Sequence, residues 1–253
     1  MNVFKKLSLI GLLSSTIFTA SNAQAELIYW ADWESGTVDP TINRITEVNG
    51  TMTTSTAVID VTYVNPQGIH FLQTGTGVDY FNSFQDPSIS PYTSALVDNT
   101  PTAAEMIALN RQGSQSLNFS ESVANLVFSY VSLNLNGYAF DQDFDILSYG
   151  GLDGNANGYF GAGSSYKQVV DLGNGNFEYR LLGTGEPHGT IQFTGSFTDV
   201  SWRSLSDETW NGFTVGIQGT SEEVFDEVPE PSSIALFALG LLALTRKTLK
   251  IRS

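Results

Sequence analysis

The chain has 253 residues, no cysteine and a formal net charge of -15. Two lysines lie in the first 25 residues, and four basic residues and one acid lie in the last 25, so residues 26–228 carry five basic and 25 acidic side chains. Such an acidic body is predicted not to bind nucleic acid, which requires lysine and arginine, and the lack of cysteine excludes disulfides, thiolate metal sites and a cysteine nucleophile.

The first segment of the chain has the pattern of an export signal. Two lysines among the first six residues precede an apolar run over residues 7–20 and an Ala-x-Ala site that ends at Ala25. This order predicts a signal peptide over residues 1–25, which signal peptidase removes. An N-terminal membrane anchor is the alternative, although the apolar run is short for a membrane span.

The body that follows is rich in short strand patterns separated by Gly, Asn, Asp and Pro. The expected strands cover residues 51–64, 116–120, 124–135, 138–148, 177–182, 190–193, 197–203 and 213–218. Within the first of these, Ile59, Val61 and Tyr63 alternate with more polar residues, which predicts one buried face. The segment 101–109 is predicted to hold a short helix or a strand, and its composition leans towards a helix.

Asn-Gly pairs favour positive backbone φ angles and therefore predict tight turns. They occur at residues 49–50, 136–137, 174–175 and 211–212. Roughly eight to ten strands in about 200 residues predict an all-β domain over residues 26–228, in which two antiparallel sheets pack as a jelly-roll-like sandwich. A closed barrel is the alternative topology, and the acidic residues 222–228 are predicted to link the domain to the end of the chain.

Two neighbouring segments carry possible calcium ligands. Asp141, Asp143 and Asp145 are predicted on one face of a strand, about 6.8 Å apart, where like charges repel unless they are solvated, paired or bound to metal. Because the body has only five basic residues, partners for these carboxylates are scarce, and calcium takes six to eight such oxygens. A solvated outer face is the alternative.

The second segment resembles the first half of a calcium-binding loop. Asp153, Asn155 and Asn157 alternate and are followed by Gly158, in the order D-x-N-x-N-G. The glutamate that normally closes such a loop is missing, because Ser164 occupies its position. A glycine-rich hairpin loop is therefore the alternative, and calcium is the single cofactor that the sequence suggests.

Catalytic candidates are few. His70 and His188 are the only histidines in the chain, and neither a nucleophile elbow nor a zinc-binding pair of histidines is present. Glu186 lies close enough to His188 in sequence to form an acid/base couple, although the same segment is typical of a turn. Trp210, next to a predicted turn, is the tryptophan most suited to stack on a sugar ring from the protein surface.

The end of the chain begins with Pro229, Glu230 and Pro231 and continues with an apolar run over residues 234–244. That run is shorter than the roughly 17–25 residues of a membrane-spanning helix. Two basic residues follow it and would hold its end in the cytoplasm: Arg246 and Lys247.

This combination over residues 229–253 resembles the PEP-CTERM sorting signal of Gram-negative bacteria. The resemblance implies that the apolar run is a short transmembrane helix, and that exosortase, a membrane protease, cuts near the Pro-Glu-Pro motif. It also implies an inner-membrane intermediate, export to the outer surface or the extracellular matrix, and an association with exopolysaccharide. It implies no activity for the body, since the members share the tail and not the passenger.

The sequence therefore predicts a secreted, non-enzymatic protein of the cell surface or extracellular matrix, in which the β domain is a structural or glycan-interacting module. Two alternatives remain open at this point. One is a secreted carbohydrate-active enzyme on a jelly-roll scaffold, with two carboxylates in a groove or a carboxylate near His188. The other is a calcium-stabilised adhesin domain.

Overall fold

The computed structural model describes residues 26–225, except residues 83 and 135. The predicted signal peptide, the last three linker residues (226–228) and the whole tail (229–253) lie outside this part of the chain. One α-helix is described, α1 (Ser221–Phe225). The strands, in chain order, are β1 (Tyr29–Trp30), β2 (Asp32–Asp39), β3 (Arg44–Thr53), β4 (Val58–Val64), β5 (Phe71–Thr74), β6 (Glu105–Leu109), β7 (Gly113–Val131), β8 (Tyr138–Phe140), β9 (Asp145–Tyr149), β10 (Gly163–Gly173), β11 (Asn176–Gly185), β12 (Gly189–Ser204), β13 (Asn211–Ile217) and β14 (Gly219–Thr220).

Two long strands, β7 and β12, form the centre of the fold. They pair antiparallel from Gly113↔Ser204 to Tyr130↔Gly189, with irregularities in the register near the middle of the ladder. The first half of β7 pairs on its other side with β4, and the second half pairs with β13. The ladder therefore belongs to two layers, one running β2-β3-β4-β7-β12-β8-β11-β10 and the other β9-β12-β7-β13-β6-β5.

Both layers contribute side chains to one hydrophobic core. Tyr63 of β4 meets Phe213 of β13 edge to face, with 5.3 Å between ring centroids. Phe128 of β7 stacks on Phe213 at 4.9 Å and meets Trp202 of β12 at 5.4 Å. The predicted all-β antiparallel sandwich is confirmed, and its layers are one continuous sheet because β7 and β12 run through both.

The alternating pattern of β4 is confirmed, since Ile59, Val61 and Tyr63 are fully buried while Val58 and Asp60 are exposed. The second half of β7 is buried on both faces because the connection over residues 75–104 covers its outer side. Four of the predicted strands merge in pairs, into β7 and into β12.

Of the helix and the strand that the sequence left open over residues 101–109, the strand is correct, and it is β6. Its residues alternate between two buried environments. Ile107 and Leu109 pack into the core between the layers, whereas Met106 and Ala108 pack under the covering connection. A strand that is buried on both faces shows no alternation in its sequence, so its period cannot be distinguished from that of a short buried helix.

Of the Asn-Gly pairs, Asn174-Gly175 forms the predicted two-residue turn, between β10 and β11, with positive φ at both residues. The pairs at 49–50 and 211–212 lie inside β3 and β13, so those turn predictions are wrong. In both strands the glycine permits a close approach. A Cβ at Gly50 would lie 3.0 Å from the Trp33 ring, and one at Gly212 would collide with the sulfur of Met106.

Candidate functional site

The three aspartates do not lie on one strand face. The predicted strand over residues 138–148 is broken into β8 and β9, and Asp141 and Asp143 fall in the connection between them. Asp141 lines a groove on the outer side of the first layer, while Asp143 lines another beside the start of β9. Asp145 is the first residue of β9, so the strand face predicted for the triplet does not exist.

Lys167 of β10 is the cation beside this segment. Its Nζ lies 2.9 Å from Asp143 Oδ1 and 4.0 Å from Asp145 Oδ1, and it also donates to the backbone oxygen of Phe144. The lysine comes from a strand more than twenty residues away, so this pairing could not be predicted from local sequence. Lys167 therefore supplies positive charge beside Asp143 and Asp145, for which the sequence had left a metal ion and solvation as alternatives.

The loop over residues 153–158 makes contacts with the body of the domain. Gly158 packs against the ring of His188, where a Cβ would collide with the imidazole. Its backbone N–H donates to Nε2 of His188. Asn155 donates to the backbone oxygen of Tyr149, and Asn157 is exposed. The glycine that completes the D-x-N-x-N-G pattern is thus required by the histidine.

Asp153 and Asn155 line a cavity of about 780 Å³, together with Asp86 and Asp98 from the covering connection. Among the residues that the structure describes, no group of three or more His, Asp or Glu side chains is placed to hold a metal ion. Calcium binding stays a prediction, without a ready cluster of carboxylates at either of the two segments.

His188 is 2 % exposed and uses both ring nitrogens inside the fold. Nε2 accepts from the backbone N–H of Gly158, and Nδ1 lies 2.7 Å from the backbone oxygen of Glu186. An amide can only donate and a carbonyl can only accept, so the ring is neutral with its proton on Nδ1. Burial lowers the pKa of His188, while the Glu186 carbonyl and charge act in the opposite direction. The ring therefore holds the loop over residues 150–158 and has no free nitrogen for a substrate.

The carboxylates nearest to this region are also engaged in the fold. Glu186 accepts from Ser132 Oγ at 2.7 Å and from Asn134 Nδ2 at 2.6 Å. Glu208 accepts from Asn136 and Asn211, and burial raises the pKa of Glu208 to about 7 despite these hydrogen bonds. Both carboxylates thereby organise the connection between β7 and β8, which carries the three donors from residues 132–136.

Trp210 belongs to a larger group of aromatic side chains at the surface, which we call the aromatic cluster. Its members come from β5, from three connections between strands, and from no single stretch of sequence: Phe71, Tyr80, Tyr159, Phe160 and Trp210. Tyr80 is central, with ring centroids 5.0 Å from Trp210 and 5.0 Å from Tyr159. Phe160 stacks on Tyr80 at 5.9 Å and meets Trp210 edge to face at 5.4 Å.

The cluster is exposed on one side and supported on the other. Tyr159 and Phe160 are 47 % and 43 % exposed, whereas Phe71, Tyr80 and Trp210 are half-buried. These three pack on a small buried cluster formed by Phe81, Tyr92, Met106, Ala108 and Val131. The loop that carries Tyr159 and Phe160 is the one that His188 holds, directly after Gly158. The sequence singled out Trp210 alone, although two adjacent aromatic residues after a glycine- and asparagine-rich loop were a visible signal.

Three of the four remaining cations of the body, namely Arg44, Arg180 and Arg203, are also used within the domain. Arg180 and Arg203 share Glu178, at 2.6 Å and 2.7 Å. Burial would raise the pKa of Glu178, but these two arginines outweigh it and hold the pKa below its usual range. Arg44 donates to the backbone oxygen of Ile69 and to Asn110. Most of the acidic side chains therefore have no cation available to them, and the domain keeps a strongly negative surface.

Residues 227–248 match the family model of the PEP-CTERM protein-sorting motif. No curated protein and no solved structure matches the chain. The chain thus carries this sorting motif, which marks it as an exported protein that exosortase processes on its passage through the membrane to the cell surface. Pro229, Glu230 and Pro231 fall within the matched range, as do Arg246 and Lys247. In the described part of the chain, no helix has the length and apolar character to cross a membrane; the run over 234–244 lies outside it.

Proposed function

We propose that the protein is a non-enzymatic component of the outer surface or extracellular matrix, and that its β domain binds polysaccharide through the aromatic cluster. In this proposal signal peptidase removes residues 1–25, the run over residues 234–244 holds an inner-membrane intermediate, and exosortase then processes the tail. The ligand is the exopolysaccharide beside which the domain is delivered.

The observation that carries the proposal is the convergence of five aromatic rings on one exposed surface. Large aromatic side chains that stay exposed on a folded domain mark binding surfaces when they are grouped. Aromatic rings offer flat apolar faces, and sugar rings offer flat C–H faces of similar size, so stacking buries apolar surface on both partners. Tyr159 and Phe160 provide the exposed part of such a platform, and Trp210 supports it from below.

The charge of the domain restricts the kind of polysaccharide. Five basic and 25 acidic side chains in residues 26–228 give a negative field around the whole domain. Polymers rich in uronic acids, sulfate or phosphate are repelled by this field, whereas neutral polymers are not. We therefore expect binding to neutral polysaccharide that depends little on salt concentration.

The experiment compares polysaccharide binding by the full-length chain in detergent with binding by Tyr159→Ala and Phe160→Ala variants, using affinity electrophoresis in gels that contain neutral or acidic polymers. Each substitution is expected to weaken binding about five- to thirtyfold, since each removes roughly 1–2 kcal/mol of buried apolar contact. Tyr166→Ala is the matched control, because Tyr166 is an equally exposed tyrosine on β10. Equal losses in all three variants contradict the assignment to the cluster.

The enzymatic alternative receives less support from the described residues. It required either two carboxylates in a groove or a carboxylate near His188, and for the second arrangement both nitrogens of His188 are bound to backbone groups. Glu186 is held by Ser132 and Asn134 in the same way. Hydrolysis of a soluble polysaccharide by the purified protein, abolished by Glu186→Gln or Glu208→Gln, would restore that alternative.

The sorting half of the proposal has its own test. In cells that lack exosortase, the chain is expected to stay in the membrane fraction with its tail, and in cells that contain it, the shortened chain is expected at the surface or in the medium. A tail that remains attached in both kinds of cell contradicts processing by exosortase.

A further inference from the structure

The last helix of the domain is tied to a distant loop by one side chain. Oε1 of Glu223 accepts from three hydroxyl groups in the loop between β3 and β4, namely those of Thr54 at 2.7 Å, Ser55 at 3.3 Å and Thr56. Oε2 of the same carboxylate accepts from the backbone N–H of Thr220 at 2.8 Å. One exposed glutamate therefore accepts four hydrogen bonds, which connect the end of the described chain to a loop about 170 residues earlier in the sequence.

Glu223 also caps its own helix. Its backbone N–H donates to Oγ1 of Thr220 at 3.0 Å, while its carboxylate accepts from the backbone N–H of Thr220. This reciprocal pair is a capping box, which satisfies two donors at the start of α1. Partial burial would raise the pKa of Glu223, but the hydrogen bonds from Thr56, Thr220, Thr54 and Ser55 outweigh it and lower the pKa to about 2. The carboxylate is thus ionised, and able to accept all its bonds, throughout the physiological range.

The same region contains the first described residue. A cavity of about 330 Å³ is lined by Glu26, Tyr29 and Gln218 together with Ser55, Glu223 and Val224. The two ends of the described chain therefore lie side by side at one end of the domain. The segment that leads to the sorting motif leaves from here, and only residues 226–228 separate Phe225 from Pro229.

We propose that Glu223 is a positioning residue for the processing of this chain. Its hydrogen bonds to residues 54–56, which we call the clasp, hold α1 on the domain, so that three residues separate the folded domain from the sorting motif. Release of the clasp makes the motif more accessible to exosortase. This inference rests on the sorting half of the proposed function and does not depend on glycan binding.

The direction of the effect follows from the distance that the chain between the folded domain and the motif can span. Three extended residues span at most about 10 Å, so the motif begins no farther than that from the end of α1 while α1 is clasped. If α1 is released, the eight residues 221–228 span up to about 28 Å, and the bulk of the domain can move aside. Because the clasp uses exposed hydrogen bonds, we expect it to open often enough for processing to occur slowly in the natural chain.

The first measurement is independent of exosortase. Chymotrypsin cuts after aromatic residues, and Phe225 is an exposed site at the end of α1, so the cleavage rate there reports the open state of the clasp. In full-length protein in detergent, Glu223→Ala is expected to raise this rate about fivefold or more, as the loss of a helix cap predicts. Thr56→Val removes one hydroxyl and leaves the capping box intact, so its effect should be smaller. Glu222→Ala, an exposed neighbour on the same helix, is the matched control and should behave as the natural chain.

The second measurement follows tail removal by pulse-chase in cells that contain exosortase. Glu223→Ala is expected to be processed severalfold faster than both the natural chain and Glu222→Ala, at an unchanged thermal midpoint of the domain. Insertion of about five Gly and Ser residues after Phe225 should accelerate the natural chain equally and should add nothing to Glu223→Ala, since both changes lengthen the same tether.

Equal chymotrypsin rates at Phe225 for Glu223→Ala and Glu222→Ala overturn the clasp, whatever happens in cells. If the insertion accelerates processing and Glu223→Ala does not, the clasp does not control the distance between the domain and the motif. A tail that is retained in every variant, the natural chain included, instead contradicts the sorting half of the proposed function, and the chymotrypsin comparison then still decides whether the clasp exists.

Discussion

The buried carboxyl group of Glu105 makes the stability of the domain depend on pH in a direction opposite to that of most acidic side chains. Glu105 begins β6, is only 3 % exposed, and accepts from the backbone N–H of Trp33 at 2.8 Å through Oε2. Burial raises the pKa of Glu105 to about 7, and the charge of Asp32 adds to the increase, whereas the hydrogen bond from Trp33 opposes it. The folded protein therefore keeps a proton that the unfolded chain releases at a lower pH.

The sign and size of the effect follow from this difference. The contribution of Glu105 to stability is fully present below the ordinary pKa of 4.5 and is lost as the pH rises through about 7. A shift of this size corresponds to at most about 3 kcal/mol at 1.36 kcal/mol for each pKa unit. Gln at this position stays neutral at every pH, and its amide oxygen can still accept from Trp33. We therefore expect Glu105→Gln to raise the free energy of unfolding by about 1–3 kcal/mol above pH 7 and to change it little near pH 5.

The assay is urea unfolding followed by tryptophan fluorescence, at several pH values between about 5 and 8, on the natural chain, Glu105→Gln and Glu121→Gln. Glu121 is an exposed residue of β7, so its substitution should shift all curves by the same small amount. The difference between Glu105→Gln and the natural chain isolates this one group, because all other titrating residues contribute equally to both. A difference that is the same at pH 5 and at pH 8 refutes the reasoning.

Three further outcomes are expected. Gly212→Ala should destabilise the domain by about 1–3 kcal/mol in urea unfolding, because the new Cβ collides with the sulfur of Met106, and Met106→Ala in the same chain should recover part of the loss. His188→Ala should cost about 1–3 kcal/mol, because the N–H of Gly158 loses its acceptor, and should also weaken polysaccharide binding, as a titration of the same variant would show. A chelator should leave the thermal midpoint unchanged, because Lys167 provides positive charge at Asp143 and Asp145 and no group of three carboxylates is placed for a metal ion in the described residues; a clear decrease in the midpoint would instead support the calcium-stabilised adhesin.

Local patterns predicted the parts of the fold that are determined locally. β4 alternates because one face meets the core and the other meets solvent, and the turn at residues 174–175 forms because Asn and Gly both tolerate positive φ. The same Asn-Gly signal was misleading at residues 211–212, where the glycine is required by a side chain from another strand. A glycine that makes room for a distant contact is indistinguishable in sequence from a glycine that makes a turn.

The aspartate segment shows a second limit of sequence reasoning. Scarcity of basic residues suggested that Asp143 and Asp145 lacked partners, but scarcity in the composition does not determine where the few cations lie. In the fold β10 packs beside β9, where Lys167 reaches both carboxylates. Similarly, Tyr159 and Phe160 carried a local signal, but their meeting with Trp210 could not be predicted, because these segments come together only in the folded chain.

Strand β13 runs from the aromatic cluster to the region where the described chain begins and ends. Trp210 precedes the first residue of this strand, whereas Ile217, its last residue, pairs with Tyr29 of β1 close to the first described residue. Seven strand residues span about 20 Å, so the aromatic cluster lies at the opposite end of β13 from the two ends of the described chain. In the proposed membrane intermediate, the cluster would therefore lie at the end of β13 opposite to Phe225, the last described residue. It follows that the precursor with its tail should bind polysaccharide as tightly as the processed form in the same electrophoretic assay, and that processing changes where the module is delivered rather than whether it can bind.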